Sequence, residues 1–201
     1  MRIKKLIRRW LTRSAVIIES SPDIYMTDMT NRSQNVRGIE ITDYQQPSPN
    51  RKGLMDCLVF HNPDILSVDC CIFNDHDIKK PRIGEDDEHC EGCMYPTLHD
   101  SASWIVFIEI KDCKAKNIKN YKKKAKRQIF NAVKMFHLKK IIINEHIYGI
   151  ISFPRQRHIN FNDTIFTDIF ETKRLKHFTR INYYATNEVD IIDDLHLRPT
   201  I

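Results

Sequence analysis

Apolar residues along the chain come in short runs, and the run that ends in charge is the most informative. In "WIVFIEIKDC", residues 104 to 113, five apolar residues lead into Glu109, and Ile110 separates it from Lys111. Alternate side chains of a strand share a face, so Ile105, Phe107, Glu109 and Lys111 take one face and Trp104, Val106, Ile108 and Ile110 the other. Charge therefore enters one face only, at its C-terminal end. Downstream, Ile118, Tyr121, Ala125, Ile129, Ala132 and Phe136 recur every three or four residues, while Lys122, Lys123, Lys126, Arg127 and Lys134 mostly take the other side. That period predicts a basic amphipathic helix packed on a sheet. The pattern then predicts a strand over 146 to 154, a helix near 164 to 177 and a strand in "RINYYA", 180 to 185.

Upstream, two apolar runs flank His61-Asn62-Pro63-Asp64, whose turn chemistry predicts an antiparallel hairpin. The opening "MRIKKLIRRWLTR" predicts a short amphipathic helix. Polar stretches with Pro and Gly, 44 to 53 and 74 to 103, predict loops, the second as an insertion. The sum is a single domain over 1 to 201, of α/β class with a mixed sheet and a core at about 54 to 154.

Composition narrows the setting. A hydrophobic share of 41% and a mean hydropathy of -0.47 come with no apolar run near the roughly 20 residues a bilayer span needs, so no membrane is expected. Arg8, Arg9 and Arg13 interrupt any secretory signal. Three of the six cysteines lie in apolar strand-like runs, as reduced cysteine does, which predicts a cytoplasmic protein. The net charge of +6 favours a polyanionic partner. Basic residues crowd 111 to 140, and acids crowd 85 to 91.

A second buried acid changes the picture. Asp69 stands mid-strand in "LSVDCCIF", where a carboxylate is costly unless it is paired, hydrogen-bonded or bound to a metal. If its strand neighbours that of Glu109, the two converge on one cation beside Lys111.

Asp69, Glu109-x-Lys111 and a following helix bearing Gln128 together resemble the PD-(D/E)xK nuclease superfamily over residues 54 to 154. The resemblance implies a restriction-endonuclease-like mixed β-sheet flanked by helices. It implies that Asp69 and Glu109 bind Mg²⁺, for which Mn²⁺ substitutes, that Lys111 positions or activates water, and that Gln128 supports the site. Oxygen ligands suit Mg²⁺, and a metal-dependent nuclease acting on DNA is the implied activity. Such an enzyme fits defence against foreign DNA, or restraint by a protein partner or a homo-oligomer. A non-catalytic nuclease-like module that binds nucleic acid or a partner protein is the alternative.

The match has departures. Pro63-Asp64 falls in the presumed turn, Asp56 rivals Asp69 as the first acid, and forty residues separate Asp69 from Glu109. Lys114, Lys116, Lys119, Lys122, Lys123 and Lys124 cluster past the proposed site as candidate phosphate contacts, with Arg155 and Arg157 after the next strand. His89, Cys90, Cys93 and His99 have spacing for a zinc site, against a plain acidic loop. No Gly-rich phosphate loop or Gly-x-Ser-x-Gly elbow occurs, and pairing Cys113 with His137 or His146 has no specific support.

Overall fold

The computed structural model describes residues 2–12, 14–30, 38–45, 56–74, 89–98, 102–111, 113–143, 145–156, 165–172 and 177–200. The chain runs α1 (Arg2–Trp10), β1 (Ala15–Glu19), β2 (Asp23–Asp28), β3 (Ile39–Thr42), β4 (Leu58–His61), β5 (Val68–Ile72), β6 (Gly92–Pro96) and β7 (Trp104–Ile110). A 3-10 turn at Ala115–Asn117 then leads into α2 (Ile118–Leu138). The remainder is β8 (His146–Ser152), β9 (Ile165–Thr172), β10 (His177–Ala185), β11 (Glu188–Ile191) and β12 (Leu197–Pro199).

Two sheets form. The larger has the order β1-β5-β6-β7-β8-β10-β9, and the smaller β12-β11-β4-β2-β3. The larger is mixed, with β7 and β10 parallel to β8 and the other neighbours antiparallel. Alternation along β7 sends Ile105 and Phe107 into one core with α1 and α2, and Trp104, Val106, Ile108 and Ile110 into another with the smaller sheet. The architecture is three layers: helices, large sheet, small sheet. Ile3 and Ile7 of α1 and Leu11 just after it repeat every fourth residue and are all buried, as the amphipathic pattern requires. In α2, Ala125, Ile129, Ala132, Val133 and Phe136 are the buried stripe.

Three expectations are corrected. The hairpin at His61-Asn62-Pro63-Asp64 is absent, because β4 pairs with β2 and β11 in the small sheet while β5 belongs to the large one. Buried Asn62 makes this crossing: its amide donates to Ser21 and Leu66 carbonyls, its oxygen accepts from Leu66 N–H, and Ile65 takes a positive φ of 53. The helix near 164 to 177 is replaced by β9 and the start of β10, paired antiparallel from Ile165↔Tyr184 to Thr172↔His177. The β-branched and aromatic residues of "IFTDIFET" favour that state over a helix. The third concerns the supposed inserted loop at 74 to 103, which contributes β6, buried throughout and lying between β5 and β7. Gly92 starts this strand where a Cβ would come within 2.4 Å of the Cys71 carbonyl oxygen, so any larger residue pushes β6 away from β5.

Asp69 is wholly buried on the helix-facing side of β5, and its Oδ1 accepts from Lys4 Nζ of α1 at 2.8 Å. This ion pair pins α1 to the sheet. Lys4→Ala strands the carboxylate and is expected to cost about 3 kcal/mol, read as a lower urea midpoint, whereas Lys4→Met with Asp69→Leu recovers most of it. Equal midpoints for wild type and Lys4→Ala would assign the pair no role in stability.

Candidate functional site

Glu109 lies at the C-terminal end of β7, in the middle of the large sheet and fully buried. Gly92 of β6 pairs with Ile108, which sets the preceding residue, Glu91, beside Glu109 at the end of the ladder. The Glu91 N–H donates to the Ile108 carbonyl at 3.0 Å and to Glu109 Oε2 at 3.1 Å. Lys111 Nζ contacts Glu109 Oε1 and lies 3.9 Å from Glu91 Oε1. Side-chain exposures of 24% for Glu91, 19% for Lys111 and 0% for Glu109 give the cluster a direction: solvent reaches it past Glu91 and Lys111, with Glu109 at the bottom.

Gln128, buried in α2, donates to the His89 carbonyl at 2.9 Å. This bond ties the helix to the segment leading into Glu91. The His89 ring meets Phe73 edge-on and its Nδ1 lies 2.7 Å from the Cys90 carbonyl oxygen, which fixes that segment further.

The first acid expected at this site sits elsewhere. Asp69 shares the helix-facing side with Glu109, but β6 lies between their strands and the register sets Asp69 level with Tyr95, at the height of Ile105. Four residues along and two strands across, the separation is ~16 Å. Asp69 therefore does not join Glu109, and its charge partner is Lys4. Asp56 is buried just before β4, in the small sheet. Glu91 holds the position beside Glu109, and the sequence does not single it out because it lies in an acidic stretch that reads as loop.

Lys114, Lys116 and Lys119 are exposed past the end of β7, as is Lys123 on α2, with Lys122 and Lys124 half-buried. Gln156 donates to the Cys113 carbonyl at 2.7 Å, so the loops after the parallel strands β7 and β8 lie together, and Arg155 shares this end with Lys114. Arg157 and His99 lie outside the described residues. Cys90 and Cys93 are buried in the helix-side core, and among the described residues no group of three or more His, Cys, Asp or Glu side chains gathers to hold a metal ion. Cys113 follows β7, whereas His137 lies in the last turn of α2 and His146 starts β8, at the opposite end of the sheet.

Burial pushes Glu109 up to about 8, with Lys111 opposing the rise and Glu91 adding to it. Burial lowers Lys111, but Glu109, Glu91 and Asp28 outweigh it and hold its proton more tightly. Two carboxylates thus share one ammonium, and Glu109 keeps its proton below about pH 8. Mg²⁺ is commonly held by one or two carboxylates and several waters, so Glu91 and Glu109 at a partly open site fit such an ion.

No protein-family model, curated protein or solved structure matches the chain.

The raised Glu109 gives a signed pH dependence. Its folded-state proton affinity exceeds the ordinary value of 4.5, so its stabilising contribution is full below about 4.5 and is lost as pH rises through about 8. With EDTA present, the unfolding free energy of wild type is expected to fall relative to Glu109→Gln between pH 5 and 9, and added Mg²⁺ to restore more stability the higher the pH. Parallel pH curves for the two proteins would remove Glu109 as the titrating group.

Proposed function

We propose that this chain is a metal-dependent nuclease of PD-(D/E)xK type that hydrolyses phosphodiester bonds in DNA. The observation that carries this reading is the place of Glu91. The family pattern puts its first acid on the strand next to the Glu-x-Lys strand, and Glu91, the residue immediately before β6, stands beside Glu109 with its carboxylate 3.9 Å from Lys111. The helix that follows β7 carries Gln128, bonded to the segment that holds Glu91.

Each residue then has a role. Glu91 and Glu109 would hold a divalent cation, which supplies Lewis-acid stabilisation at a phosphoryl oxygen and makes water more acidic. Lys111, on the open side, donates to the attacking water or to a phosphoryl oxygen as charge builds there. Gln128 is a positioning residue: it fixes His89 and through it the backbone of Glu91. Lys114, Lys116 and Arg155 at the same end of the sheet receive flanking phosphates.

The contact between Lys111 and Glu109 also favours a second reading, a nuclease-like module in which the ion pair is structural. The two separate in one experiment. Wild type with Mg²⁺ or Mn²⁺ is expected to nick plasmid DNA and to stop in EDTA. Lys111→Ala is expected to keep Mg²⁺ binding and lose about 10²-fold in single-turnover rate, whereas Glu109→Ala loses metal and cleavage together. Binding without cleavage in every metal would leave the module, and cleavage that persists in EDTA would exclude the metal mechanism.

A further inference from the structure

Basic charge is concentrated on the two helices. Helix α1 carries Arg2, Lys4, Lys5, Arg8 and Arg9, and α2 carries seven more Lys and Arg, while neither contains an Asp or Glu. The whole chain has a net charge of +6, so these two helices hold +12 and the rest of the protein −6. Solubility alone does not require this, because a mixed surface serves it equally well. Lys4 of α1 is turned inward to the Asp69 carboxylate, whereas Lys5, Arg8 and Arg9 are exposed, as are Lys119, Lys123 and Lys134 of α2.

The helices are joined where α1 ends. Trp10 packs edge-on against Phe136 with centroids 5.6 Å apart, and Lys139 lies over the Trp10 ring at 5.7 Å. Arg8 and Arg9, exposed and next to Trp10 in the chain, therefore lie near the last turns of α2. A 21-residue helix is ~31 Å long, which matches about nine base pairs of duplex. The surface also lacks what single strands need. Leu138 is the one exposed large apolar side chain on either helix among the described residues, and the aromatics there, Trp10, Tyr121 and Phe130, are half-buried against the core rather than standing free to stack on bases.

We infer that the outer face of α1 and α2 is a binding surface for the sugar-phosphate backbone of duplex nucleic acid, running away from the Glu91–Glu109–Lys111 site along the length of α2. It holds substrate by charge without reading sequence. This extends the nuclease reading but is tested apart from it, by binding to a protein that need not cleave.

The probe is a 30-base-pair duplex, titrated by fluorescence anisotropy against Glu109→Gln protein in EDTA, with and without Lys5→Gln, Arg8→Gln and Arg9→Gln together. The triple change is expected to weaken binding at least about tenfold and to reduce the slope of log affinity against log salt by about 3. Thermal unfolding is expected to stay the same, and a 30-nucleotide single strand to bind more weakly than the duplex. An unchanged affinity in the triple variant, or a single strand bound as tightly as duplex, overturns the inference. Binding to phosphatidylserine vesicles without binding to duplex also overturns it and marks the face as a membrane surface. Cleavage by wild type alongside unaltered binding by the triple variant defeats the surface alone, while salt-dependent binding lost in the triple variant without any cleavage defeats only the nuclease reading.

Discussion

The site depends on the cost of burying the Glu109 carboxylate in the middle of a seven-stranded sheet. A charge there persists only if it is compensated. Lys111 two residues on, the Glu91 N–H at the ladder's end and a proton held up to about pH 8 are three partial answers to that cost. Below about pH 8 the proton on Glu109 and the ammonium of Lys111 together balance the two carboxylates. A divalent cation would take over the proton's part at higher pH, where the proposed chemistry needs it.

Much of this was legible in the sequence, for reasons that differ by element. Glu109 and Lys111 were assigned to one face because β7 is long, apolar and regular, so its alternation is unambiguous. The period of α2 likewise gave its buried stripe and placed Gln128 at its edge. The mixed α/β class followed from those elements together. What failed was the partner of Glu109. β6 is only five residues long, begins with Gly and ends with Pro, and follows an acidic stretch, so local composition reads as loop. Its identity as a strand comes from tertiary context: burial on both faces and pairing on both edges. The stretch from Asp69 to Glu109 held one usable signal, since a connection that long without its own secondary structure is uncommon in a compact domain.

Asp69 shows how a correct physical inference can lead to a wrong assignment. A mid-strand acid does need a partner, and Asp69 has one, but that partner is Lys4 of α1 rather than a shared cation. Choosing between them requires strand order, which alternation does not contain. The same limit explains the missing hairpin at Asn62, where sound turn chemistry carries the chain between sheets instead of folding it back. The two acids therefore divide the work: one anchors a helix, and the other lies at the open end of the sheet with Glu91.

The most direct measurement of this division is Mn²⁺ binding, followed by electron paramagnetic resonance, in wild type, Glu91→Gln and Asp69→Asn, with folding of each verified by circular dichroism. Glu91 as the partner of Glu109 predicts that wild type and Asp69→Asn both bind Mn²⁺ with similar affinity, and that Glu91→Gln weakens binding at least about tenfold. Loss of Mn²⁺ in folded Asp69→Asn, with Glu91→Gln unaffected, would contradict it.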